Sequence, residues 1–124
     1  MFFTGGEPLL QVDEALIQAC QERGFEVGVE TNGTQACPEG FDWVCVSPKA
    51  GTNLRQLEGD ELKVVYPQKG LDPASFEALK YKRFSLQPLD DADRESNLEK
   101  CIAYCMEHPK WRLCVQTHKL VGVR

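Results

Sequence analysis

The chain opens with Phe2-Phe3-Thr4-Gly5-Gly6-Glu7-Pro8: two apolar strand formers run straight into a glycine-rich polar loop. Gly5 and Gly6 lack the Cβ that restricts other residues, so backbone groups there can approach a ligand closely. A carboxylate immediately after them can accept hydrogen bonds from an ammonium group. Taken alone, the string also reads as a turn before a helix. Its weight comes from repetition, because apolar strand followed by polar tip recurs down the chain.

Strand-like and helix-like stretches alternate. Asp13 is a good N-cap and Glu14 places negative charge in the first turn of a helix that Gly24 stops. Residues 25–31, 43–47, 62–66, 84–87 and 113–117 read as further strands. Asp72-Pro73 predicts a helix start, with Pro at the first helical position. A second long helix is expected from near Asp91 to Pro109, with Leu98, Cys101, Ile102 and Cys105 as its apolar stripe. This alternation predicts an α/β fold with a mostly parallel sheet. The strands read as near-continuous apolar runs, as expected when both faces are covered. Two links, Thr34 to Phe41 and Ala50 to Gly59, look too short for full crossover helices.

With 124 residues, 42% of them hydrophobic, and a net charge of −5, the chain fits one acidic globular domain over residues 1–124. No basic patch points to nucleic acid, and no apolar run is long enough to span a bilayer. No charged-then-apolar leader is seen, so the expected compartment is the cytoplasm. The six cysteines, Cys20, Cys37, Cys45, Cys101, Cys105 and Cys114, lie mostly in apolar periodic stretches. There they read as small buried hydrophobes rather than a disulfide framework. A domain rarely starts inside a core strand, so the native protein is expected to extend upstream of Met1. Whether Met1 is a native start, a cloning boundary or a misplaced gene start stays open.

Polar residues follow every predicted strand except the one at 62–66: Thr4-Gly5-Gly6-Glu7-Pro8, Glu30-Thr31-Asn32-Gly33, Ser47-Pro48-Lys49, Gln87-Pro88-Leu89-Asp90 and Gln116-Thr117-His118-Lys119. In parallel α/β architecture such tips share one rim, where ligands bind. Glu7, Glu30, Ser47, Lys49, Gln87 and His118 are therefore expected to converge.

In this order and spacing the tips resemble those of radical S-adenosylmethionine enzymes, and more narrowly the 7-carboxy-7-deazaguanine synthase family. The resemblance runs along the whole chain. It implies part of a shortened (β/α)6-type barrel, lacking its N-terminal strand or strands. It also implies a homodimer, a [4Fe–4S] cluster, S-adenosylmethionine and Mg²⁺. The implied reaction begins with reductive cleavage of S-adenosylmethionine. The radical formed takes a hydrogen from 6-carboxy-5,6,7,8-tetrahydropterin, and ring contraction with loss of ammonia gives 7-carboxy-7-deazaguanine. By resemblance, Gly6 and Glu7 hold the methionyl end. Glu30, Ser47, Pro48 and Lys49 contact the rest of the cosubstrate, and Gln87, Pro88, Leu89 and Asp90 line its adenine side. Thr4 and His118 face the pterin, joined by the carboxylate of Arg124 if the chain ends natively.

The cluster of such enzymes sits on three closely spaced thiolates, which the family carries upstream of its G-G-E-P segment. Cys101-x-x-x-Cys105-x-x-His108 imitates that spacing, but the apolar helix stripe explains both cysteines as core. The chain alone is therefore expected to be inactive, and an exposed sheet edge would invite pairing with another chain. Two alternatives remain: a glycyl-radical-enzyme activase, and a cluster-free α/β binding module.

Overall fold

A computed structural model describes residues 1–115. It contains one six-stranded sheet in which every neighbouring pair is parallel and the strands lie side by side in chain order. The strands are β1 (Phe2–Phe3), β2 (Gly28–Thr31), β3 (Trp43–Val46), β4 (Glu58–Tyr66), β5 (Lys80–Pro88) and β6 (Trp111–Leu113). The two α-helices are α1 (Glu14–Glu22) and α2 (Arg94–Glu107). Parallel neighbours need a return connection from one end of the sheet to the other, so all strands point the same way and their C-terminal tips share one rim.

The helix signals act as read. The Asp13 carboxylate accepts from the Leu16 amide at 2.9 Å, capping α1, and Gly24 reverses the chain after it with φ of 88°. The short links hold no α-helix: among the described residues, none lies between β2 and β3 or between β3 and β4.

Several boundaries move. β2 starts at Gly28 rather than Phe25, because the Val27 amide is taken by the Asp42 side chain at 2.6 Å. β4 starts at Glu58, four residues before the apolar run, so the polar stretch 50–59 is not all loop. β5 likewise extends upstream to Lys80, and β6 begins at Trp111. Asp72-Pro73 opens a 3-10 turn, Pro73–Phe76, and not an α-helix; the Asp72 carboxylate caps the Ala74 amide at 3.1 Å.

The core lies on one face of the sheet. Val46, Leu62, Val64, Phe84, Leu86, Cys101 and Trp111 form a continuous buried cluster between the strands and α2. A smaller cluster of Val12, Ile17 and Val27 seats α1. The buried face of α2 is Asn97, Cys101, Tyr104 and Cys105; Ile102, expected in the stripe, is 40% exposed.

The expectation that both sheet faces would be apolar is overturned. Strand side chains alternate between faces. Opposite the core face, β2 presents Glu30, β3 Cys45, β4 Glu61 and Lys63, and β5 Ser85, as their mutual contacts show. Pairing places Glu30 beside Cys45, Cys45 beside Glu61, and Lys63 beside Ser85. The sheet thus has an apolar back and a charged front.

Candidate functional site

The loop after β1 is the pivot of the rim. Gly5 and Gly6 hold φ of 81° and 57°, in the left-handed region, and a Cβ on either would meet nothing within 4 Å. The glycine pair therefore bounds open space with its backbone accessible, a cradle that a ligand can enter. Glu7 turns away from that space. One carboxylate oxygen accepts from the Leu9 amide at 3.0 Å and the Thr31 hydroxyl at 2.6 Å, and the other accepts from the Asn32 amide at 2.8 Å. Glu7 thus caps the 3-10 turn Pro8–Leu10 and bolts it to the tip of β2.

The next tips are stitched in sequence. The Ser47 amide donates to the Thr31 carbonyl at 2.8 Å, joining the tips of β2 and β3. The Ala50 amide donates to the Gln68 side chain at 3.1 Å, joining the segments after β3 and β4. The Leu89 amide donates to the Tyr66 carbonyl at 3.0 Å, and the Asn97 amide group holds the Leu89 carbonyl at 2.9 Å. The Asn97 side chain also reaches Asp91 at 2.9 Å, fixing the start of α2 beneath the last of these tips.

Gly6, Glu7, Ser47, Pro48, Lys49, Gln87, Pro88, Leu89 and Asp90 all stand on this rim. Ser47 and Pro48 are buried, Gln87 to Leu89 half-buried, and Lys49 and Asp90 exposed. Thr4 is exposed beside the glycines. His118 and Arg124 lie outside the described residues.

Glu30 sits one step below the rim, on the front of the sheet. Its carboxylate forms an ion pair with Lys63 at 2.9 Å, reaching across β3. Burial lowers the Lys63 pKa, but the hydrogen bond and charge of Glu30 outweigh it and the net shift is upward, so the Lys63 ammonium is held charged. Between them, the Cys45 thiol is pushed up to about 12 by burial first and then by Glu61. Glu61 accepts from the Ser85 hydroxyl at 2.6 Å.

Sequence reading missed Thr31 and Asn32 as the anchors of Glu7, and missed the Glu61–Lys63–Ser85 face entirely. The signal was present: Glu61 and Lys63 alternate with Leu62 and Val64, and Arg83, Ser85 and Gln87 alternate with Phe84 and Leu86.

All six cysteines are free thiols. Cys101 is fully buried and its thiol meets the Tyr66 carbonyl at 3.3 Å, a core position. Among the described residues, no three His, Cys, Asp or Glu side chains are grouped to hold a metal ion. What the described residues offer at this rim is exposed glycine backbone beside polar and charged side chains.

A six-stranded parallel sheet in chain order with two helices on it defines an α/β protein, a class whose ligands bind at the C-terminal rim of the strands. Comparison with known proteins narrows this. The chain is 60% identical over 121 residues to the 7-carboxy-7-deazaguanine synthase of Bradyrhizobium diazoefficiens, covering 98% of this chain and 58% of that protein. It is 54% identical over 120 residues to the enzyme of the same name from Caulobacter vibrioides (97% of this chain, 57% of that protein). With the Bacteroides thetaiotaomicron 7-carboxy-7-deazaguanine synthase it shares 45% identity over 124 residues, 65% of that protein's length. No protein-family model matches the chain. The chain is thus similar, from end to end, to a portion of 7-carboxy-7-deazaguanine synthases, and spans about 58% of the length of the first of these relatives.

Proposed function

We propose that this chain is the cosubstrate-binding part of a 7-carboxy-7-deazaguanine synthase. The complete protein is read as a radical S-adenosylmethionine lyase of 7-deazapurine and queuosine biosynthesis. It converts 6-carboxy-5,6,7,8-tetrahydropterin to 7-carboxy-7-deazaguanine with loss of ammonia. The observation that carries this reading is the 60% identity that runs through nearly the whole chain. The rim geometry supports it, because the tips that resemble the family's motifs are joined to one another in order.

In this reading the sheet is an arc of a (β/α)6-type barrel and its charged front faces the lumen. When bound, S-adenosylmethionine and a reduced [4Fe–4S] cluster would supply the radical that starts the ring contraction, and Mg²⁺ is the further cofactor of this reading. This chain's residues bind and orient. The Gly5–Gly6 backbone receives the amino acid end of the cosubstrate in the open cradle. Glu7 fixes that cradle to β2 and adds negative charge beside it. Glu30, Ser47 and Lys49 contact the nucleoside, and Gln87 to Asp90 border the base. Thr4, and His118 and Arg124 beyond the described residues, take the pterin side. The assembly is read as a cytoplasmic homodimer.

The test is anaerobic turnover of the complete protein with the carboxytetrahydropterin, following product by mass spectrometry. The expected result is 7-carboxy-7-deazaguanine formed only when S-adenosylmethionine is present. A protein that cleaves S-adenosylmethionine but leaves the pterin unchanged would overturn the substrate assignment. Such a result would instead favour an activase.

A further inference from the structure

We infer that Lys63 is a positioning residue for the nucleoside subsite, acting through Glu30. The inference rests on the reading of Glu30 as a cosubstrate contact and adds a residue that none of the rim motifs contains.

Lys63 lies on β4 and Glu30 on β2, with β3 between them, yet their charged atoms are 2.9 Å apart. The pairing explains how. Cys45 sits beside Glu30 on β3, so only a short side chain stands on this face between the two charged residues. Lys63 stands two residues nearer the rim than Glu61, the partner of Cys45, and so on the same face, and its stem runs diagonally back toward Glu30. Its side chain is only 15% exposed and that of Glu30 29% exposed. A carboxylate half-withdrawn from water gains little by swinging freely. An ammonium donating to one of its oxygens fixes its rotamer and leaves the other oxygen to meet a ligand hydroxyl.

The neighbouring acid does not compete for the lysine's role. Glu61, on the same face, accepts the Ser85 hydroxyl at 2.6 Å. The front of the sheet therefore carries two separate couples, Glu30 with Lys63 and Glu61 with Ser85, and only the first extends to the strand whose tip joins the glycine cradle through Thr31.

The experiment uses the complete protein and measures S-adenosylmethionine binding by equilibrium dialysis, with no turnover needed. Lys63→Met is expected to weaken binding about tenfold or more, the usual scale for losing a hydrogen bond to a charged group. Lys63→Arg restores much of it. In a Glu30→Gln background, Lys63→Met causes no further loss, because the residue it would position no longer needs holding. Thermal unfolding of each variant is followed in parallel. Should Lys63→Met alone fail to fold, Lys63→Gln, which keeps a hydrogen-bond donor but loses the charge and the reach to Glu30, takes its place with the same expected loss of binding. Wild-type binding by Lys63→Met, or losses that simply add in the double variant, would overturn the inference while leaving the proposed function standing. Failure of the wild-type protein to bind S-adenosylmethionine would instead remove the functional reading, and this inference with it.

Discussion

Glu7 shows how a motif residue can carry structure and site together. Its two oxygens receive three donors, two of them backbone amides that the helical turn and the end of β2 would otherwise leave bare. Glu7→Gln keeps the shape but replaces one acceptor oxygen with a donor that cannot meet these groups. We expect it to lower stability by about 1–3 kcal/mol, the range for lost hydrogen bonds to a charged group. Urea unfolding of the wild-type and variant proteins checks this, and an unchanged midpoint would show that the rim is held elsewhere. The residue types at the rim were readable because Gly, Asp, Glu and Pro punctuate strands visibly. The partners of Glu7 were not, because Thr31 and Asn32 are 24 and 25 residues away and only the β1–β2 pairing brings them near.

Among the elements, the turn after β2 is the most tightly specified. Gly33 has φ of 76°, and a Cβ there would come within 2.7 Å of Val46 and also press on Leu54. Val46 is fully buried in the main core and cannot yield easily. The Gly33 carbonyl also receives the Arg55 and Gln56 amides at 2.8 and 3.1 Å, which ties this turn to the link before β4. Gly33→Ala is therefore expected to cost about 2–4 kcal/mol from strain and overpacking combined. A fall in thermal midpoint of only a degree or so would contradict that estimate. The presence of the strands and their parallel type were legible from apolar runs and turn residues; their order in the sheet came from the structure. The true lengths of β4 and β5 were not legible, because Glu58 to Glu61 and Lys80 to Arg83 look like loop until one sheet face proves to be polar.

Across the whole molecule, burial of thiols sets an alkaline limit. Burial and then Glu7 push Cys37 to about 11; burial and then Cys105 push Cys101 to about 12, matching Cys45. An unfolded cysteine releases its proton near about 8.5. The folded state holds these protons longer, so the stability they contribute is complete below that value and is lost as pH rises toward 11–12. The raised pKa of Lys63 acts in the same direction at the upper end of that window. We expect the urea midpoint to be steady near neutrality and to decline above about pH 9. Alkylation at pH 8 should spare Cys45 and Cys101 in the folded protein and label both after unfolding. Prompt labelling of either in the native state would show that the sheet or the α2 contact opens readily.

Local chemistry was enough to read the parallel α/β class, the α1 cap and the polar residues that follow the strands. Each depends on short-range features: apolar runs, caps, glycines and prolines. The charged front of the sheet, the anchoring of Glu7 and the reach of Lys63 over Cys45 to Glu30 were decided only by tertiary structure. They depend on strand register, which places side chains from different strands on one face and is set by packing across the sheet. Phe2-Phe3-Thr4-Gly5-Gly6-Glu7-Pro8 announced a strand and a polar loop. Its pairing with Glu30-Thr31-Asn32-Gly33 made that loop one wall of a cradle.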